Sequence, residues 1–129
     1  MQAQEKKDNL IKVKGVSFSV VVNKLLDEGW NIMKIDSNYQ TVTTDFRDGR
    51  DKTKWMKLRY YVRVKDSTAF ISGNWVNAML LGQQFFGSEF NMENSTQSIE
   101  FTFGNPKNCF IEMQRFALSF NKPIEYSRN

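Results

Sequence analysis

With 129 residues, a single cysteine and no histidine, this chain excludes several kinds of chemistry before any motif is read. One cysteine cannot close an intrachain disulfide, and without histidine there is no imidazole base, no histidine-centred triad and no ordinary zinc ligand set. The net charge of +4, hydrophobic fraction of 40% and aromatic fraction of 14% are those of a folded domain, not a disordered polyelectrolyte. We read residues 1–129 as one domain, long enough to bury a core without covalent staples. No apolar run reaches the ~18 residues that a membrane-spanning helix needs.

In chain order, residues 1–8 are polar and charged and read as a loose tail. Asn9 to Lys14 alternates apolar and polar residues, as a short edge strand would, and Gly15 ends it. Ser17 to Glu28 reads as a helix. Ser17 is its cap, and Phe18, Val21, Val22, Leu25 and Leu26 fall on one stripe. Gly29 suits the left-handed position that follows many helices.

Trp30 to Ile35 and Tyr39 to Phe46 read as strands joined by the turn formers Asp36, Ser37 and Asn38. In the second, Val42, Thr44 and Phe46 are expected on one face. A charged loop, Arg47 to Lys54, follows. Trp55 to Trp75 then reads as a hairpin. Met56, Leu58, Tyr60, Val62 and Val64 alternate with Lys57, Arg59, Tyr61, Arg63 and Lys65, the period of a strand with one dry and one wet face.

Gly82 to Gln97 carries Phe85, Phe86, Phe90 and Met92 between glycines and loop formers. It reads as a lid, a short helix or a packed loop. Ser98 to Phe103 alternates and reads as a strand. Asn105-Pro106 opens a final helix with its packing stripe on Phe110, Met113, Ala117 and Phe120, widened by Ile111, Phe116 and Leu118. Asn121 and Pro123 stop it. The fold class that follows is α+β: a two-layer sandwich, one curved antiparallel sheet with both helices packed on one face.

The segment Phe18 to Thr44 resembles a known arrangement. Leu25, Leu26, Gly29, Trp30, Asp36, Val42 and Thr43 are similar to the helix-grip modules of the β-barrel assembly lipoprotein C. They also resemble small bacterial envelope proteins with a TATA-box-binding-protein-like fold. The resemblance covers roughly a fifth of the chain and is structural, so it carries over no functional residue. It implies a scaffolding or interaction module. There is no lipidation cysteine near Met1, a departure from a lipoprotein. Gln2-Ala3-Gln4 is similar to the small, polar segment that follows signal cleavage in some envelope proteins. A periplasmic or secreted location is therefore the expectation, with an ordinary frayed terminus and a cytoplasmic protein as the alternative.

Three groups of residues are candidates for function. The first is basic. Arg47 to Lys65 holds eight Lys or Arg and two Asp, so positive charge is concentrated there while the remainder of the chain is net negative. Trp55, Lys57, Arg59, Tyr61 and Arg63 share one predicted face. Cations interleaved with aromatics suit an acidic protein partner, an anionic surface or single-stranded nucleic acid, and they equally suit a solvated sheet face. The second is Phe85 and Phe86, as a docking tip, a cover over a hydrophobic ligand held between the layers, or plain core closure. The third is Asp45, Asp48 and Asp51, whose spacing matches no calcium loop and which read as locally ion-paired. Cys109, near the start of the last helix, reads as a buried structural thiol. Asn94-Ser95-Thr96 matches a glycosylation sequon and reads as chance.

No cofactor and no metal are expected. The reading is a non-catalytic binding or interaction module of the bacterial cell envelope. The alternatives are a nucleic-acid-binding module using the basic-aromatic face, or a carrier of a small hydrophobic ligand.

Overall fold

The alternation from Met56 to Lys65 is realised as a ten-residue strand, and Thr68–Asn77 forms an equally long partner in unbroken antiparallel register. The turn between them places Asp66 and Ser67 at φ of +53° and +57°. Two successive left-handed residues give the turn twist that matches a right-handed hairpin. Met56, Leu58, Tyr60, Val62 and Val64 are all buried, and Tyr61, Arg63 and Lys65 are exposed.

A computed structural model describes residues 7–77 and 96–128. Its elements are β1 (Leu10–Lys14), α1 (Phe18–Asp27), β2 (Ile32–Asp36), β3 (Thr41–Thr44), β4 (Arg47–Asp48), a 3-10 turn (Asp51–Thr53), β5 (Met56–Lys65), β6 (Thr68–Asn77), β7 (Gln97–Ser98), α2 (Asn105–Leu118) and β8 (Ile124–Ser127). The strands form one open antiparallel sheet in the order β2-β3-β5-β6-β1-β8, with β4 added to β5 and β7 to β6. Val21 and Leu25 of α1 and Cys109, Phe110, Met113, Phe116 and Ala117 of α2 share one core with the dry faces of β1, β5 and β6. Both helices therefore cover the same face, and the fold is α+β in two layers.

The helix ends follow local chemistry. Ser17 Oγ accepts the Val20 N–H at 3.3 Å, and Gly29 sits at φ +85° just beyond α1. In α2, Asn105 is already helical. Gly104 precedes it without a side-chain cap, so the expected asparagine cap is displaced by one residue. Leu118, expected in the packing stripe, is 47% exposed because it lies at the last position of the helix, turned away from the sheet.

Four expectations change. Asn9 to Lys14 is not an edge, because β8 pairs along its outer side. Only Gln97–Ser98 of the region around Ser98 to Phe103 is strand. Ile99 N–H still bonds Gly73, and the chain then leaves β6, where Phe101 exchanges backbone bonds with Lys7 and Asp8. Those bonds hold the last two residues of the expected loose tail, and Asp8 is buried.

Phe46 does not share the face of Val42. Thr43 stands opposite Tyr61, but Arg47 stands opposite Leu58, so the register slips by one residue at Asp45-Phe46. Such a bulge exchanges the two faces downstream. Phe46 moves to the outer face under Arg59, and Arg47 turns toward the helices.

Candidate functional site

The outer face of the sheet is built from the residues that the core rejects. Cross-strand register sets them in rows. Thr41, Arg63, Phe70, Lys12 and Glu125 form one row across five strands. Lys65, Thr68 and Lys14 form the next row toward the hairpin turn. Neighbouring strands lie ~4.8 Å apart, so Arg63 and Lys12 flank the Phe70 ring across about 10 Å. Lys12 Nζ lies 5.8 Å from that ring's centroid, within cation–π range. Leu10, Tyr61, Arg63, Lys65, Phe70 and Ser72 line a shallow trough of about 340 Å³.

The electrostatics of this face are uneven. Lys14 bonds Glu125 at 2.7 Å, which holds that carboxyl below its ordinary range. Lys57 is paired with Asp48 at 2.8 Å. Among the described residues, no carboxylate comes within ion-pair distance of Lys12, Arg63 or Lys65. No acidic residue lines the trough.

The structure divides the expected basic-aromatic stripe. Tyr61 and Arg63 stand in the trough. Arg59 lies 4.6 Å over the Phe46 ring, and Lys57 is engaged by Asp48. Trp55 precedes β5, is exposed, and carries Lys54 Nζ 5.4 Å from its ring centroid. At ~3.4 Å per residue it is about 27 Å along the strand from Arg63. Phe70 lines the trough and Lys12 stands beside it, and neither was singled out from the sequence. Strand alternation in Asn9 to Lys14 and in the hairpin already placed them on wet faces, but only register joins them. Phe85, Phe86, Phe90 and Met92 lie outside the described residues, as does most of the sequon.

A second cavity, about 160 Å³, opens at the end of the helix layer. Arg47, turned inward by the bulge, stacks 4.1 Å over Trp30 and donates from Nη1 to the Glu28 carbonyl at 2.7 Å. It thus meets the negative end of α1. Trp30 stacks on Tyr60 and Tyr60 on Phe116, with ring centroids 4.6 Å and 5.4 Å apart. Glu112 is held by Arg115 at 2.9 Å and by Arg50 at 3.6 Å. Burial, and then the Glu112 charge, push the Tyr60 phenol far above its ordinary pKa, so it stays a proton donor. Glu28 Oε2 is buried without a hydrogen-bond partner. The arrangement closes one end of the core with internally compensated charge. Residues so far apart in sequence gave no local signal of it.

Of the three expected aspartates, Asp48 pairs with Lys57 and Asp51 with Arg115, while Asp45 N–H bonds the Asn31 carbonyl. They do not converge on one point. Comparison with protein-family models and with curated proteins finds no match to this chain.

Proposed function

We propose that this protein is a non-catalytic binding module of the bacterial cell envelope that takes an acidic segment of a partner protein on its outer sheet face. The observation that carries this reading is the trough, where Arg63 and Lys65 stand beside Phe70 and Tyr61 with no carboxylate within ion-pair distance among the described residues, and where neighbouring Lys12 has only Glu125, itself bonded to Lys14, across from it. Cations left unpaired on a rigid sheet attract an anion without first breaking an internal ion pair. The envelope assignment rests on the resemblance of Phe18 to Thr44. Cell fractionation tests it, and recovery only from the cytoplasm would overturn it.

Single-stranded nucleic acid is the second reading, favoured by one feature: the Phe70 ring between Lys12 and Arg63 offers a base a stacking surface between two phosphate contacts. The carrier reading draws no support from the core, where Phe110, Met113 and Ile71 are fully buried between the layers.

The test is fluorescence anisotropy with a labelled glutamate-rich peptide and, separately, a labelled oligothymidine, each over a range of salt. The peptide is expected to bind at low salt and to weaken as salt rises. Arg63→Glu with Lys65→Glu is expected to weaken binding by about tenfold or more. Peptide binding that the double variant leaves unchanged would overturn the assignment. Tighter binding of the oligonucleotide, with a steeper salt dependence, would select the second reading.

A further inference from the structure

We infer that two copies of this chain associate through β2, in antiparallel register about Ile35, to continue the sheet from one copy into the other. Among the described residues β2 pairs with β3 alone, so its outer edge is an unfilled strand position. Edge strands are ordinarily protected by proline, by charge or by a covering element. This one carries Met33 and Ile35, 51% and 49% exposed; its bulge lies between Ile32 and Lys34, and its two charges, Lys34 and Asp36, are of opposite sign, so Lys34–Asp36 remains a regular, self-complementary edge.

The apolar surface extends onto the helix layer. Ile35 stands opposite buried Val42 and so faces the helices. On α1, Lys24 faces the Phe120 ring, beyond the end of α2. Leu26 lies about 200° further round the helix, on the flank turned away from α2 and toward the β2 side. It is 53% exposed. Leu26 and Ile35 thus border the same edge on the helix side.

Charge selects the occupant and the register. Pairing β2 with itself about Ile35 sets Ile35 against Ile35, and Lys34 of each copy against Asp36 of the other. Both charged residues lie on the outer face, opposite Thr43 and Thr41. Centring the pairing on Lys34 would instead oppose two lysines directly, which is unfavourable. Asp36 Oδ1 is occupied by the Asn38 and Tyr39 N–H groups at 3.0 Å and 3.1 Å, and Oδ2 remains for the lysine. The strand is therefore complementary to a second copy of itself in one register.

Sedimentation equilibrium of the full chain tests this over a range of concentration. The wild-type protein is expected to show a monomer–dimer equilibrium. K34E and D36K are each expected to weaken it by about tenfold or more, because each opposes like charges. An equimolar mixture is expected to recover association as a heterodimer, the introduced carboxylate of one variant facing the introduced ammonium of the other. Because D36K also removes a turn acceptor, I35E serves as a second variant that spares the turn and is expected to be monomeric. A wild-type protein that stays monomeric up to its solubility limit would overturn the inference. So would folded K34E or I35E that dimerises as the wild type does, or folded K34E and D36K that fail to recover in mixture.

Discussion

At the scale of single residues, two buried positions test the packing of the core. Gly73 stands opposite Tyr60 on the core face of β6. A Cβ there would lie 2.6 Å from the Arg59 carbonyl oxygen and 2.8 Å from Ile99 Cδ1. Gly73→Ala must push β5 from β6 or displace the segment that Ile99 anchors. It is expected to cost about 1–3 kcal/mol in denaturant unfolding. An unchanged midpoint would contradict the packing described.

Cys109 is governed by its environment. Burial, and then the Glu112 charge, push its thiol from 9.0 up to about 12. The folded state therefore keeps a proton that the unfolded chain releases. Stability from this group is complete below pH 9 and is lost as pH rises from 9.0 toward 12. The slope is about 1.4 kcal/mol per pH unit within that window. Tyr60, raised in the same sense, adds to it at higher pH. Alkaline titration of the unfolding midpoint should show the decline, and Cys109→Ala should flatten its lower part. A midpoint that is flat from pH 9 to 11 in the wild type would refute the assignment.

At the scale of elements, the central hairpin is held from both sides. Its turn carries two L-residues in left-handed conformation, a costly arrangement without glycine. The Ser67 carbonyl also accepts the N–H groups of Gly15 and Val16 at 2.7 Å and 3.0 Å, tying the turn to the β1–α1 connection. Ser67→Gly keeps that carbonyl and relieves the backbone. It is expected to stabilise the fold by about 0.5–1 kcal/mol, read as a higher melting temperature. A lower one would mean that the serine side chain contributes to the turn. The bulge at Asp45-Phe46 matters as much. By exchanging faces it sends Arg47 to the end of α1 and leaves Phe46 as a stacking surface for Arg59.

At the scale of the whole molecule, the two layers separate two kinds of charge. On the helix side, Glu112 with Arg50 and Arg115 is compensated within the fold. On the outer face, Arg63 and Lys65 have no such partner among the described residues. The proposed trough spans β1, β5 and β6, and the proposed self-association uses β2 at the sheet's edge. The two are therefore separable. Arg63→Glu with Lys65→Glu should change anisotropy and leave sedimentation as it was, whereas I35E should do the reverse. A dimer would present two troughs on one continuous sheet, so a partner with two acidic segments would gain from both at once.

The amino-acid sequence by itself determined the α+β class, α1 with its serine cap, the hairpin with its dry and wet faces, and a buried Cys109. Each is set by local periodicity, capping or turn chemistry, and such signals are complete within a few consecutive residues. Only the tertiary structure decided that β1 is interior, that the chain leaves the sheet after the two-residue strand Gln97–Ser98, and that Phe46 and Arg47 exchange faces. It alone brought Lys12 and Phe70 to Arg63, and Glu28, Arg47, Tyr60 and Glu112 to one cleft. These outcomes depend on strand order and register, which couple residues far apart in the chain. One extra residue in one strand reverses every side chain beyond it, and no local pattern records that choice.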